Sequence, residues 1–368
     1  MAEQAMFTGG GEFQRELKRR VAAELTPERV RRGKWQISLK GVVLVTWAVG
    51  SYLALLLLSH GWKTALPLAI SLGFAVAGVA FSIGHDANHG SLSRNKRINR
   101  MLGWSYDLIG ASSYVWRTKH NHAHHSYTNV VGADNDIDQM PLARFAPEQP
   151  RRWFHRGQHI YMWAMYGLFT IKHHLVGDLR GVTGGTFGEG SQLKRPNGPE
   201  LWVFFTGKAA FFTWALLIPM LLHTWWHVLL IFVLVSWVLG FTLATVFQLA
   251  HCVDEAHFSS VDELRAGEPK NWAVHQVETT VDFATGNRFL SWYLGGLNFQ
   301  VEHHLFPKVC HVHYPQLLRV VRETCAEFGV THSVQPSMRA ALASHARWLR
   351  RMGRPESPLA TQAVAAPG

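Results

Sequence analysis

Acidic residues are scarce in this 368-residue chain, and cysteines are scarcer. Twenty-five Asp and Glu stand against 36 Lys and Arg, a formal charge of +11. In a soluble protein that surplus raises nucleic acid as a partner. Here the basic residues flank long apolar runs instead, the pattern of juxtamembrane anchoring against anionic lipid, and no nucleic acid is expected. The three cysteines, Cys252, Cys310 and Cys325, form no CxxC pair and suggest no disulfide framework. Residues 1–40 are polar and strongly charged, so no cleavable signal is expected there.

Charge is also missing from four stretches, 42–59, 64–84, 201–222 and 226–250, apart from Lys208. At about 1.5 Å per helical residue the first of them nearly crosses a hydrocarbon core of roughly 30 Å. Short turns join them in pairs, which predicts two transmembrane hairpins. Lys208 falls about two turns into the third span, placed to snorkel or to face the protein interior. His60, His223 and His227 sit at the short turns with Trp62, Trp225 and Trp226, and read as an interfacial belt. Between the hairpins, 101–116 reads as an interfacial or re-entrant segment, 158–171 is too short to cross, and 181–199 is a Gly-rich loop.

Outside the spans, 13–25 is partly helical and Thr26-Pro27 opens a second helix. An amphipathic helix begins near Pro315, with Leu318, Val321 and Cys325 on one face. Beyond Arg351 the Pro/Ala/Gln-rich tail is expected to be disordered. Lys and Arg crowd the N-terminal segment, the 85–198 loop and the C-terminal region, whereas the short turns hold only Lys63. The positive-inside rule therefore places both termini and the large loop in the cytoplasm. The fold class expected is all-α: an integral membrane protein with four transmembrane helices and a cytoplasmic helical cap carrying a His-rich site.

Histidine is what the chain has in plenty. In KHNHAHHSYTN, residues 119–129, four imidazoles fall within six residues: His120, His122, His124 and His125. On a helix His120 and His124 share a face, with His125 one step round, so three rings can converge. His122 lies off that face. HDANH places His85 and His89 four apart directly after the second span, His303 and His304 close QVEHH, and His251 ends the fourth span. Eight histidines are too many for one four-coordinate ion. Two metals sharing a nitrogen-rich shell is the economical account, although neutral imidazole suits Zn, Cu, Fe and Ni alike. Asp86, Asn88, Asn121 and Glu302 lie close enough in sequence to orient the rings as acceptors. His173, His174, His311 and His313 read as surface or supporting groups. A divalent-metal transporter or a membrane haem protein would need such ligands near mid-span, where there are none.

HDANH at 85–89 and HNHAHHSYTN at 120–129, between the two hairpins, and GGLNFQVEHHLFP at 295–307, after the second, resemble the membrane fatty acid desaturase family over roughly residues 35–331. Gln300, where many members carry a histidine, is similar to the front-end (delta-6-like) and related acyl-CoA or acyl-lipid desaturases. The resemblance implies a desaturase domain over 35–333. A basic segment, 1–34, would precede it, and a C-terminal helix and tail, 334–368, would follow. It also implies two iron ions and O2 as co-substrate. An amide cannot match imidazole as a nitrogen donor, so Gln300 is expected to act at the edge of the site, orienting a neighbouring ligand or water. A lipid hydroxylase on the same scaffold would use the same ligands. No HPGG haem motif occurs, so electrons are expected from a separate ferredoxin or cytochrome b5 type donor with its reductase.

Overall fold

The computed structural model describes residues 6–355 except 185, 188–190 and 193–194, so the tail beyond 355 lies outside the described residues. The chain is mostly helical. Four helices are long and apolar enough to cross a membrane: Pro27–Leu58, Trp62–His89, Pro199–Leu222 and Trp225–His251. All four begin before the apolar runs do, and the second and fourth also end after them. The first starts at Pro27, whose fixed φ suits the first helical turn, and the Thr26 side chain accepts a bond from the Arg29 N–H as its cap. The basic lead-in 27–41 and the first span are thus one continuous rod. Its outward face stays apolar and exposed, from Trp35 through Leu39 and Val42 to Leu58. That face suits lipid rather than water.

The second and fourth spans form the interior pair. Gly73 lies where a Cβ would fall 2.7 Å from the Val238 side chain, and Ala65, Ala69 and Ala77 are buried on the same helix. Small residues at that spacing let the two backbones approach closely. Leu72, Val76, Phe81, Leu239 and Leu249 fill the core between them. Lys208 of the third span faces inward: its Nζ donates to Gly110 O and meets Asp178 Oδ2 at 2.9 Å.

The segments on either side of the spans pack into the same body. Helix Glu12–Glu24 buries Phe13 and Leu17 against Val301, Val321 and Cys325. The amphipathic helix forms at Tyr314–Glu327 and turns Leu317 rather than Leu318 fully inward. Helix Met338–Met352 seats Trp348, Leu349 and Met352 beside Tyr166, Ala244 and Cys252. Packing therefore runs across 34/35 and 333/334 without a break. The 101–116 region is three short helices, Lys96–Gly103, Ser105–Leu108 and Ser113–Trp116. Two-residue parallel ladders, such as Val130–Val131 with Ser259–Ser260, pin loops to one another.

Candidate metal centre

Four elements carry the imidazoles to one place. The second span continues past the apolar run, widens to π-type turns over Ala80–Gly84, and then delivers His85 and His89. Wide turns recur over Arg117–His124, where the His125 N–H bonds the His120 carbonyl five residues back. Because this ring closes at i→i+5, His125 comes round above His120 instead of one step off it. His122 is left exposed. The fourth span ends on His251, and helix Gln300–Leu305 brings His303 and His304. That helix is aimed by Gly295 and Gly296, both at positive φ, where a Cβ would fall 2.5 Å from Phe81 O and 2.9 Å from His311 Cβ.

The result is a two-lobed cage. Ligand nitrogens of His85, His89, His120 and His303 lie within 4.8 Å of one another, as do those of His124, His251 and His304. His125, His303 and His304 form a third such group, so His125 sits between the lobes. The Nε2 atoms of His89, His120, His124, His303 and His304, both nitrogens of His125 and Nδ1 of His251 are buried without a hydrogen-bond partner. Each unsatisfied buried polar atom costs about 1–3 kcal/mol. So many bare nitrogens converging on shared points fit metal ions, which would satisfy them together. Burial is the main cause that pushes His120 down to about 3 and His125, His303 and His304 well below the usual imidazole range. Burial thus favours the neutral form of these four rings, the form that binds metal.

Residues the motifs did not single out orient these rings. Asp134 Oδ2 lies 2.9 Å from His124 Nδ1, and Gln276 Oε1 lies 2.8 Å from His304 Nδ1. Tyr314 Oη is 3.2 Å from His303 Nδ1, and Asp136 Oδ2 is 3.5 Å from His120 Nδ1. Burial lowers the His124 pKa, but the Asp134 carboxylate outweighs it and the pKa ends raised. Asn129, in a left-handed conformation at φ 56°, donates to the carbonyls of His251 and Thr279 and fastens the second motif to the fourth span. The one signal for the acids was their density in GADNDID, residues 132–138.

Of the four acceptors expected from sequence, Asp86 alone reaches a ring. Its Oδ1 lies 3.3 Å from His85 Nδ1, and its Oδ2 accepts from His311 Nδ1 at 2.8 Å. His311 Nε2 in turn lies 2.8 Å from Lys40 Nζ, so a residue of the basic lead-in is buried against the site. Asn88 instead donates to Gly84 O and Gly103 O, and Asn121 donates to Asn88 O. Both are backbone clamps. Glu302 turns away toward Asp282, where burial and that neighbour raise its pKa well above the carboxylate range. Gln300 Nε2 lies 2.9 Å from His251 Nε2, at the lip of the second lobe.

An apolar cavity of about 420 Å³ ends against His85, His120 and Gln300, with Phe81, Leu243 and Phe247 in its walls. A second, of about 360 Å³, runs on toward the turns at His60 and His223. The two share Ile109, His174 and Leu239, which form a neck. The belt residues His60, Trp62, His223 and His227 line that far cavity rather than the cage.

Comparison with known proteins places this geometry. The family model described as fatty acid desaturase matches residues 61–336. The sn-1 linoleoyl-lipid 6-desaturase of Synechocystis sp. is 35% identical over 355 residues, covering 96% of this chain and 99% of that protein. The enzyme of the same name from Arthrospira platensis is 35% identical, covering 92% of each chain. The acyl-lipid (8-3)-desaturase of Physcomitrium patens is 37% identical over 83% of this chain and 65% of its own length. With its histidine cage, its four apolar helices and these relatives, the chain belongs to the fatty acid desaturase family, oxidoreductases that act on fatty acyl chains.

Proposed function

We propose that the protein introduces a double bond into the acyl chain of a membrane lipid, near the carboxyl end as in the linoleoyl-lipid 6-desaturases, at two irons held by the cage. The observation that carries this reading is the apolar cavity ending on His85, His120 and Gln300. A chain lying in it meets the cage without entering water. In each turnover two C–H bonds give way to a C=C bond, O2 takes up two electrons and two protons besides those two hydrogens, and two waters leave. His85, His89, His120 and His303 would hold one iron and His124, His251 and His304 the other, with His125 between, and bound there the irons supply the O2 chemistry.

The chain's own residues do the rest. Asp134, Asp86, Gln276 and Tyr314 fix the ring orientations through their Nδ1 bonds. Gln300 holds His251 on the cavity side and gives the reacting end of the cavity its polar edge. Phe81, Leu243 and Phe247 exclude water from the chain. The polar end of the same cavity, at Lys119, Gln139 and Lys172, would face the lipid headgroup.

The Lys/Arg asymmetry supports two hairpins with both termini, the 85–198 loop and the site on the cytoplasmic side. A separate one-electron carrier would then supply the electrons there. Reporter fusions after Arg32 and after Arg351 are both expected to read cytoplasm. The function itself is tested by expression in a host of defined lipids, followed by mass-spectrometric mapping of new double bonds. New unsaturation at a fixed position from the carboxyl group is expected; hydroxylated chains in its place would make the enzyme a hydroxylase.

A further inference from the structure

A third cavity reaches the cage from another side, and it shares no lining residue with the acyl cavity. It is a cleft of about 670 Å³ between the start of the first span, the turn after His89 and residues 308–313. Its floor is His89 and Asn88. Its walls carry Lys34, Arg94, Lys96, Arg100, Arg117 and Lys308, and no Asp or Glu lines it. Glu200 pairs with Arg100 and Arg117. The other four are exposed and have no ion pair among the described residues. Four uncompensated cations around one concavity repel each other and focus a positive potential on it. Such a field is quenched by an anionic partner.

We propose that this cleft is the docking surface of an acidic electron-carrier protein, which passes single electrons to the cage across the His89 ring, twice per turnover. The inference rests on the desaturase reading above. Three observations separate it from a second lipid or substrate site. The cleft sets six cations among Leu25, Val30, Ile37, Leu92 and Val309, whereas the acyl cavity is apolar over most of its wall. The acyl chain already has a cavity that ends on His85, His120 and Gln300. The floor of the cleft is an imidazole of the metal cage, so a carrier seated there is one ring from its acceptor. Transient redox encounters use small, charge-steered interfaces, which is what a rim of separate cations around a short path provides.

The test uses the full-length, metal-loaded enzyme in neutral phosphatidylcholine nanodiscs, with a plant-type [2Fe–2S] ferredoxin as the acidic probe. Arg94→Glu/Lys96→Glu/Lys308→Glu is expected to raise the KM for ferredoxin about tenfold or more and to weaken its Kd in proportion, with kcat at saturating ferredoxin and metal content held. For the unaltered enzyme kcat/KM should fall steeply with added salt, and in the variant that slope should flatten. Lys18→Glu, an exposed cation on helix Glu12–Glu24, should change neither. If the triple variant loses metal, the milder Arg94→Gln/Lys308→Gln pair carries the same sign with a smaller shift. A ferredoxin KM and Kd unmoved in both variants would overturn the proposal. So would a defect confined to discs containing phosphatidylglycerol with the ferredoxin Kd unchanged, which makes the cleft a headgroup site. Failure of the underlying reading looks different: the unaltered enzyme would then form no double bond with reduced ferredoxin at any concentration.

Discussion

The two cavities that meet the cage differ in almost every property. One is walled by Phe81, Leu243 and Phe247 and ends on His85, His120 and Gln300; the other carries six lysines and arginines among aliphatic side chains and ends on His89. An acyl chain needs an environment as apolar as the bilayer, since each methylene exposed to water forfeits about 0.8 kcal/mol. A protein reductant needs charge and an aqueous face. One buried centre cannot offer both through one opening, and here the imidazoles form the partition between them. His85 and His89, one helical turn apart with ring centroids 4.6 Å from each other, look out on opposite sides of it.

The comparison can be broken most completely at the partition. His124→Ala or His304→Ala removes a nitrogen that both approaches depend on, and should abolish turnover and lower bound iron while the protein stays in the membrane. Metal analysis beside product assay checks this. His122→Ala alters an exposed ring and should keep most activity. Damage at His122 equal to that at His304 would mean the cage is drawn on the wrong face.

Gln300→Leu strikes the apolar side alone. The substitution keeps the size but loses the bond to His251, and groups that support a ligand typically account for about 10–100-fold in activity. Most turnover should therefore go while most iron remains. Iron loss as complete as in His304→Ala would make the amide itself a ligand.

Leu239→Phe narrows the neck that Leu239 forms with Ile109 and His174. Overpacking there costs about 1–3 kcal/mol, and it should fall on acyl chains long enough to pass the neck. Competition between long and short substrates is expected to shift several-fold toward the short. An unchanged ratio would show that the far cavity holds no part of the chain.

The smallest effect on turnover should come from His345, which lines neither cavity and touches the acyl one only through Tyr166. Its ring is buried between Tyr166 Oη and the Cys252 carbonyl, and burial pushes its pKa down to about 4. Unfolded histidine titrates near 6.5, so this contribution to stability is fully present above that pH and is lost as pH falls toward 4, on the order of 3 kcal/mol. Thermal melts should show a smaller loss between pH 7 and 5 for His345→Gln than for the unaltered protein.

The four apolar runs, the eight histidines and the break between motifs were legible because each is a local pattern of hydropathy or spacing. The acceptors were not. Asn88 and Asn121 sit beside ligands in sequence yet clamp backbone carbonyls, while Gln276 and Tyr314 touch rings from 28 and 11 residues away. A hydrogen bond between distant segments leaves no periodic trace. Glu302, flanked by Val301 and His303, illustrates the opposite trap. Adjacent side chains on a helix point about 100° apart, so Glu302 faces away from His303, and Asp86 reaches the neighbouring His85 ring at only 3.3 Å while lying 2.8 Å from the distant His311. Lys40 was read with the basic lead-in because its charge was countable and its partner His311, 271 residues on, was not.

The wide turns at Ala80–Gly84 act as a phase shifter. A regular α-helix repeats its faces in fixed register, so the stripe that packs Leu72 and Val76 against the fourth span would dictate where His85 and His89 point. One extra residue per turn rotates everything downstream relative to everything upstream. The two halves of a single rod then answer to separate selective pressures: the membrane-buried half to the shape of its neighbour, the far half to the placement of nitrogen. Mutational drift in the packing stripe need not be transmitted to the metal centre as a change of angle. The same device at Arg117–His124 suggests how a chain can revise its scaffold while the cage it holds stays still.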